Sequence, residues 1–227
     1  MGEPVSPGST KSAPRAAASD ARGATRAHPA IVKLGGSLAP SPHLEDWLEA
    51  IAAEAGAVVV VPGGGPFADA VRAAQAAMGF DAAAAHGLAM AAMTAFGRAL
   101  ESLEPRLEVA RSRAAIRRAL HAGAVPVWAP EAMALAAQLP ETWDLTSDSL
   151  AAWLAGELEA AQLVLVKHGR FPAGRLAADD LAERGVVDRL FPRYLRLCPA
   201  RAWLATPADS ASLREGLRRA VFPEIVV

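Results

Sequence analysis

Two stretches carry residue types that could do chemistry together: Ile31-Val32-Lys33-Leu34-Gly35-Gly36-Ser37, and Val58-Val59-Val60-Val61-Pro62-Gly63-Gly64-Gly65-Pro66. Each is a short β-branched run that empties into glycines and is followed by an alanine-rich helical pattern. A buried strand ending in such a turn presents backbone N–H groups at the sheet edge. With no side chain in the way, an anion can approach them closely. Lys33 adds a fixed positive charge beside the first turn, with Gly35, Gly36 and Ser37 as hydrogen-bond donors. The structural alternative is a tight βα turn with a snorkelling lysine. Three consecutive glycines, Gly63, Gly64 and Gly65, cost roughly 1 kcal/mol each relative to alanine, and an ordinary turn needs only one. The helix that follows turns its positive dipole end toward the same place. Together these features read as a phosphate site.

Further along, Thr146-Ser147-Asp148-Ser149 holds four capping-type residues, more than one helix N-terminus needs. They are either a plain cap or a segment that presents a catalytic or ligand-orienting carboxylate. Asp148 is the first candidate for that carboxylate and Asp144 the second. Lys167 ends an apolar run and is either a second phosphate contact or a solvated strand end. His86 falls in a helical pattern and His168 in a loop, neither with another His or Cys at metal-ligand spacing, so no metal site is assigned. G-x-x-x-x-G-K-[ST] is absent, no G-x-G-x-x-G follows the first strand, and no serine has a G-x-S-x-G setting.

The elements that must position these residues alternate. Strands are expected at Ala30–Leu34, Ala57–Val61, Leu107–Ala110, Ala124–Trp128, Gln162–Lys167, Ala202–Ala205 and Glu224–Val227. Helices are expected from Ser41-Pro42 through Ile51, at Phe67–Met78, Asp81–Leu103, Arg113–His121, Leu150–Leu158, 177–185, 188–196 and Asp209–Ala220. Residues 131–140 read as a loop or short helix and 168–176 as a loop. Met90, Met93 and Leu100 lie in the apolar face of their helix and read as core. Apolar runs without alternation are strands covered on both faces, so the chain is α/β with a mainly parallel sheet. Ligands of such sheets bind outside the carboxyl ends of the strands, where 33–37, 62–66, 144–149 and 167–170 all fall.

Composition narrows the function classes. At 227 residues, with 52% hydrophobic content and a mean hydropathy of +0.20, one domain with a sizeable core is expected over 29–227. A net charge of -1 and a pI near 6.5 give no basic stripe for nucleic acid. No apolar stretch reaches the roughly 18 residues of a membrane span, and the N-terminus has no apolar h-region for secretion. Cys198 is the single cysteine, which excludes an internal disulfide framework and fits a cytoplasmic protein. Residues 1–28, rich in Pro, Ser, Gly, Thr, Ala and Arg, are expected to form a disordered tail.

The order Lys33-Leu34-Gly35-Gly36-Ser37, Pro62-Gly63-Gly64-Gly65-Pro66, then Thr146-Ser147-Asp148 before an alanine-rich helix resembles the amino acid kinase family across 30–227. That resemblance implies an αβα sandwich around a largely parallel sheet, homo-oligomerisation, and transfer of the ATP γ-phosphoryl group to a small acceptor. It also implies a role for each residue. Lys33 would contact the β/γ-phosphates, with Gly35, Gly36, Ser37 and Lys167 on the nucleotide side. Gly63, Gly64, Gly65, Asp144 and Ser147 would hold the acceptor, and Asp148 would orient the lysines or the acceptor. Mg²⁺ would accompany ATP, held mainly by phosphate oxygens. Trp143–Ser149 and Gly185–Pro192 are most similar to the branch of aminomethylfuranyl-methyl phosphate kinases. The expected acceptor is therefore phosphate-bearing, with a carboxylate kinase of the acetylglutamate type, or a non-catalytic binding protein, as the alternatives. Two departures stand out: Lys167-His168-Gly169-Arg170 replaces an Asp-containing stretch, and no glycine-rich segment with a second lysine follows between 171 and 200. Phe67-Ala68-Asp69 stands where isopentenyl phosphate kinases place a histidine, which argues against an isoprenoid acceptor.

Overall fold

A computed structural model describes residues 28–227, so the tail expectation lies almost entirely outside the described residues. The strands are β1 Ala30–Leu34, β2 Val58–Pro62, β3 Leu107–Ala110, β4 Val125–Trp128, β5 Gln162–Val166, β6 Arg175–Ala177, β7 Arg201–Ala205 and β8 Glu224–Val226. They form one sheet in the order β3-β4-β2-β1-β5-β7-β8-β6, with every neighbouring pair parallel except β7 and β8. The helices are α1 Leu44–Ala52, α2 Gly65–Met78, α3 Ala82–Leu103, α4 Arg113–His121, α5 Glu131–Ala136, α6 Ser147–Glu157, α7 Ala178–Glu183, α8 Phe191–Arg196 and α9 Leu213–Gly216. This is the expected α/β sandwich. Among the described residues no helix is long and apolar enough to cross a membrane.

The central strands are buried on both faces, as their unbroken apolar sequences require, and period-two alternation divides the core. Ile31, Val59, Val61, Leu163 and Leu165 pack on one side with Leu150 and Leu154 of α6 and Phe191 of α8. Val32, Leu34, Val58, Val60, Val164 and Val166 pack on the other with Trp47 and Ile51 of α1. The same parity decides where the lysines point. Lys33 follows Ile31 by two, and Lys167 follows Leu165 by two, so both side chains fall on the α6 side. The β1–β5 register pairs Leu34 with Val166, which sets Lys167 just beyond the end of β1.

Several boundaries differ from expectation for local reasons. Ser41 does not start α1; its Oγ accepts from the His43 amide at 3.2 Å, closing a turn that delays the helix to Leu44. The helix expected from Leu150 begins at Ser147. The single helix expected over Asp209–Ala220 is a 3₁₀ segment, Pro207–Ser212, followed by one turn at α9. Thr206 and Asp209 form a reciprocal capping box that starts this segment early. Gly216 ends it where the Phe222 ring lies so close that a Cβ would sit 2.1 Å from it. β6 takes the end of the expected 168–176 loop and the first residue of the expected 177–185 helix; its three residues are largely exposed at the sheet edge and show no apolar pattern.

Candidate active site

The two glycine turns pack back to back at the carboxyl edge of β1 and β2. A Cβ on Gly36 would lie 2.3 Å from the Gly65 nitrogen, and one on Gly63 would lie 2.4 Å from the Gly36 nitrogen. The glycines thus serve the approach of one backbone to another as well as any ligand. Gly65 also holds a φ of +55°, which favours glycine. The Gly63 amide donates to Leu34 O at 2.7 Å, tying the second turn to the end of β1. Helix α2 then begins with Gly64 as its N-cap and Ala68 donating to Gly64 O at 3.1 Å. The amides of Gly64, Gly65 and Phe67 have no acceptor within the helix, as at any helix start, and suit an anion.

Beside these turns, Asp148 gathers two lysines. Lys33 Nζ lies 2.9 Å from Asp148 Oδ1, and Lys167 Nζ lies 2.5 Å from Oδ2. The Lys167 contact is a hydrogen bond. The Lys33 contact is an ion pair whose angle leaves Oδ1 without a hydrogen-bond donor. Lys33 is only 4% exposed and Asp148 2%, whereas Lys167 is half-buried. The whole sequence contains three lysines, Lys11, Lys33 and Lys167, among 23 basic residues. Two of the three therefore meet at one carboxylate. A lysine is a compact, strongly hydrated point charge on a flexible stem, able to neutralise a phosphate without a fixed donor geometry.

The environment sets the ionisation of this cluster. Burial drives the Lys33 ammonium down from 10.5, and Lys167 pushes the same way; Asp148 opposes them, leaving it at about 8. For Asp148, burial works to raise the carboxyl, but the charges of Lys33 and Lys167, with the Lys167 hydrogen bond, outweigh it and hold it at about 2. The signs differ for stability. The folded chain releases the Lys33 proton before the unfolded chain does, so the buried ammonium costs stability below about 8, and that cost is relieved as pH rises toward 10.5. Asp148 contributes stability above 3.8 that fades as pH falls toward 2. For ligands the consequence is direct. Affinity for inorganic tripolyphosphate, titrated calorimetrically, is expected to weaken as pH rises through about 8 and Lys33 loses its charge. A flat affinity across that range would remove Lys33 from the anion site.

Two clefts flank the cluster. One, of about 260 Å³, is bounded by Gly36, Ser37, Gly64, Gly65, Thr146 and Ser147, with Met90, Met93 and Leu145 as apolar walls. Met90 and Met93 thus serve both core and cleft. Trp143 forms another wall: the Arg72 guanidinium stacks 4.5 Å from its ring centre, and its Nε1 donates to Gln75 Oε1 at 2.9 Å. Asp69 lies 3.0 Å from Arg72, and half-buried His86 also faces this cleft. The second cleft, of about 640 Å³, opens between the 169–175 loop and the β7–β8 end of the sheet, with Arg170, Phe171, Thr206 and Phe222 in its lining. His168 leans over the first turn, its Nε2 3.3 Å from Ser37 O.

Of the residues singled out in the sequence, Lys33, Asp148, Lys167, Gly35, Gly36, Ser37, Gly63, Gly64, Gly65 and Ser147 come together at this edge. Residues 146–149 arrive there as the N-cap and first turn of α6, with no strand directly before them. Asp144 is placed elsewhere. Its side chain is exposed in an outer groove, 3.9 Å from Arg189 Nε, with Trp143 between that groove and the cleft and lining both. Asp188, not singled out as a site residue, accepts four hydrogen bonds from the start of α6. They come from the Thr146 amide at 2.9 Å, Thr146 Oγ1 at 2.8 Å, the Ser149 amide at 3.0 Å and Ser149 Oγ. The excess of capping residues at 146–149 was the one sequence signal that an acceptor from elsewhere was needed. Among the described residues no group of three His, Cys, Asp or Glu side chains is placed to hold a metal ion.

The sequence model of the amino acid kinase family matches residues 29–168, which spans both turns, Asp148 and Lys167. The chain is 25% identical over 186 residues to [5-(aminomethyl)furan-3-yl]methyl phosphate kinase of Methanocaldococcus jannaschii, covering 77% of this chain and 86% of that relative. Among solved structures it resembles uridylate kinase from Archaeoglobus fulgidus, with a TM-score of 0.67, 20% identity and 87% of this chain against 100% of that one. It also resembles UMP kinase from Ureaplasma parvum, with a TM-score of 0.64, 15% identity and 88% of this chain against 99% of that one. These structural likenesses extend past the family match into the region after His168, and at such identities they speak for the fold.

Proposed function

The chain belongs to the amino acid kinase family, and from that membership we propose that it transfers the γ-phosphoryl group of ATP to a small acceptor that itself carries a phosphate. The phosphotransferase class follows from the family. The observation that carries the rest is the Lys33–Asp148–Lys167 cluster beside two glycine turns. Phosphoryl transfer asks a protein mainly to position two anions and neutralise the charge passing between them. Lys33 and Lys167 supply that charge, and Asp148 fixes both ammonium groups before any ligand arrives. Lys167 thereby supplies the second lysine whose usual glycine-rich setting is missing after residue 171.

The nucleotide is assigned to the 640 Å³ cleft, with Phe171 and Phe222 offering apolar surface and Arg170 a further charge. When bound, Mg-ATP supplies the phosphoryl group, its metal held chiefly by phosphate oxygens. The acceptor is assigned to the 260 Å³ cleft, where the α2 amides and Arg72 favour an anionic group and Met90, Met93 and Leu145 suit a ring. The preferred acceptor is [5-(aminomethyl)furan-3-yl]methyl phosphate or a close analogue, by analogy with the archaeal relative.

The test pairs binding with turnover. Mg-ATP is titrated into the full chain by calorimetry, alone and with the furan phosphate present, and transfer is followed as ADP formation with the furan phosphate, UMP and N-acetylglutamate. Turnover with the furan phosphate well above the other two supports the assignment. Preference for N-acetylglutamate would make the protein a carboxylate kinase. Absence of Mg-ATP binding under both conditions would sink the kinase reading.

A further inference from the structure

Asp188 sits between α7 and α8, on a segment fastened from both sides. Leu190 N donates to Asp144 O at 3.2 Å, Phe191 N to Asp188 O at 3.1 Å, and Val186 N to Leu181 O at 2.9 Å. Its carboxylate takes the place of the cap that α6 lacks. In an ordinary capping box the N-cap hydroxyl accepts from the amide three residues on. Here Thr146 is the N-cap and makes no such bond; its hydroxyl donates to Asp188, which also accepts from the Ser149 amide. Asp148 lies between these two anchored residues. An aspartate in a helix's first turn commonly spends itself on helix amides. With those amides met from outside, the Asp148 carboxylate turns instead to Lys33 and Lys167.

We propose that Asp188 is a positioning residue of the transfer reaction, clamping the start of α6 so that Asp148 stays aimed at both lysines, and adding a negative charge that favours the Lys33 ammonium. The charged groups facing Lys33 are Asp148 from α6, Lys167 from the end of β5 and Asp188; Asp188 also faces Tyr194 of α8. The inference rests on the transfer reaction proposed above, but the electrostatic part can be read without turnover.

Two variants separate clamp from charge. In Asp188→Asn the amide oxygen can keep the Thr146 and Ser149 amides that Oδ2 now accepts, and the NH₂ can donate to Ser149 Oγ, so the clamp survives without its charge. In Asp188→Ala both go. With only three lysines in the chain, ¹³C-lysine NMR resolves Lys33 for titration in the full-length protein. In Asp188→Asn, Lys33 is expected to lose its proton roughly half a pH unit or more below wild type. In Asp188→Ala, Mg-ATP affinity is expected to fall about tenfold, the scale on which outer partners of a ligand act, and by more than in Asp188→Asn. If both variants only lower the melting temperature, with Lys33 ionisation and Mg-ATP affinity unmoved, Asp188 is a structural cap and the proposal fails. If Asp188→Ala does not fold, the Lys33 titration in Asp188→Asn decides. If wild type binds no Mg-ATP, the kinase reading falls on its own, and the Lys33 shift still tests Asp188.

Discussion

Lys33→Ala is expected to lower phosphoryl transfer by about 10³-fold or more, the scale seen when a preorganised charge is removed from a transferring phosphoryl group, while the protein remains folded. The fold holds because Asp148 keeps its hydrogen bond to Lys167 and so is not left as an unpaired buried charge. Losing the buried ammonium even removes a cost at neutral pH, since burial already drives Lys33 down to about 8. The side-chain stem is a separate matter, because alanine leaves a cavity under α6. Lys33→Met fills that space without the charge, and is expected to be as inactive as Lys33→Ala but more stable. Rates with the best acceptor and melting temperatures of both variants check this. A loss of only about twofold would remove Lys33 from the transferring group.

The second large effect falls on a residue with no side chain. Gly36→Ala would bring a Cβ to 2.3 Å from the nitrogen and 2.6 Å from the Cα of Gly65, both backbone atoms that cannot swing aside. The two turns must then separate, at a cost of about 1–3 kcal/mol or more. Both turns line the 260 Å³ cleft, and the first also carries Gly35, where a Cβ would lie 3.5 Å from Lys33 Nζ, so acceptor and Mg-ATP binding are both expected to weaken. Gly87→Ala, on α3 where an added Cβ meets nothing within 4 Å, is the control. It is expected to stabilise by up to about 1 kcal/mol through helix propensity. Chemical denaturation and Mg-ATP titration of both variants give the comparison. A Gly36→Ala protein with wild-type stability would mean that the turns do not pack as described.

What the sequence disclosed and what it withheld follow a physical divide. Continuous apolar runs declared the central strands, and glycine clusters after them declared the site edge, because both signals are local. Lys167 stayed ambiguous because its partner depends on parity and register between β1 and β5, which sequence spacing does not contain. Asp188 stayed unread because the groups it anchors lie 39 and 42 residues away. The helix expected over 209–220 failed for a similar reason: its apolar periodicity is real, but Gly216 must meet Phe222 from the returning chain. Asp144 shows the finest grain of the problem. It is four residues from Asp148, yet its side chain is exposed beside Arg189 in an outer groove, away from the lysines.

The convergence of Lys33 and Lys167 on Asp148 has a practical consequence for labelling. Apart from Lys11, which lies outside the described residues, every other side-chain cation of the chain is an arginine or a histidine and does not form stable amides with acylating reagents. Lysine-selective acylation is therefore nearly confined to this pair and Lys11, and follows thiol-like logic, since only the neutral amine attacks. Lys167 is half-buried and Lys33 almost fully buried, so Lys167 is the more accessible of the two. Acylation of these two, read peptide by peptide by mass spectrometry, becomes an occupancy meter: a ligand seated on the lysines silences both signals together, and one bound elsewhere on the molecule leaves them unchanged.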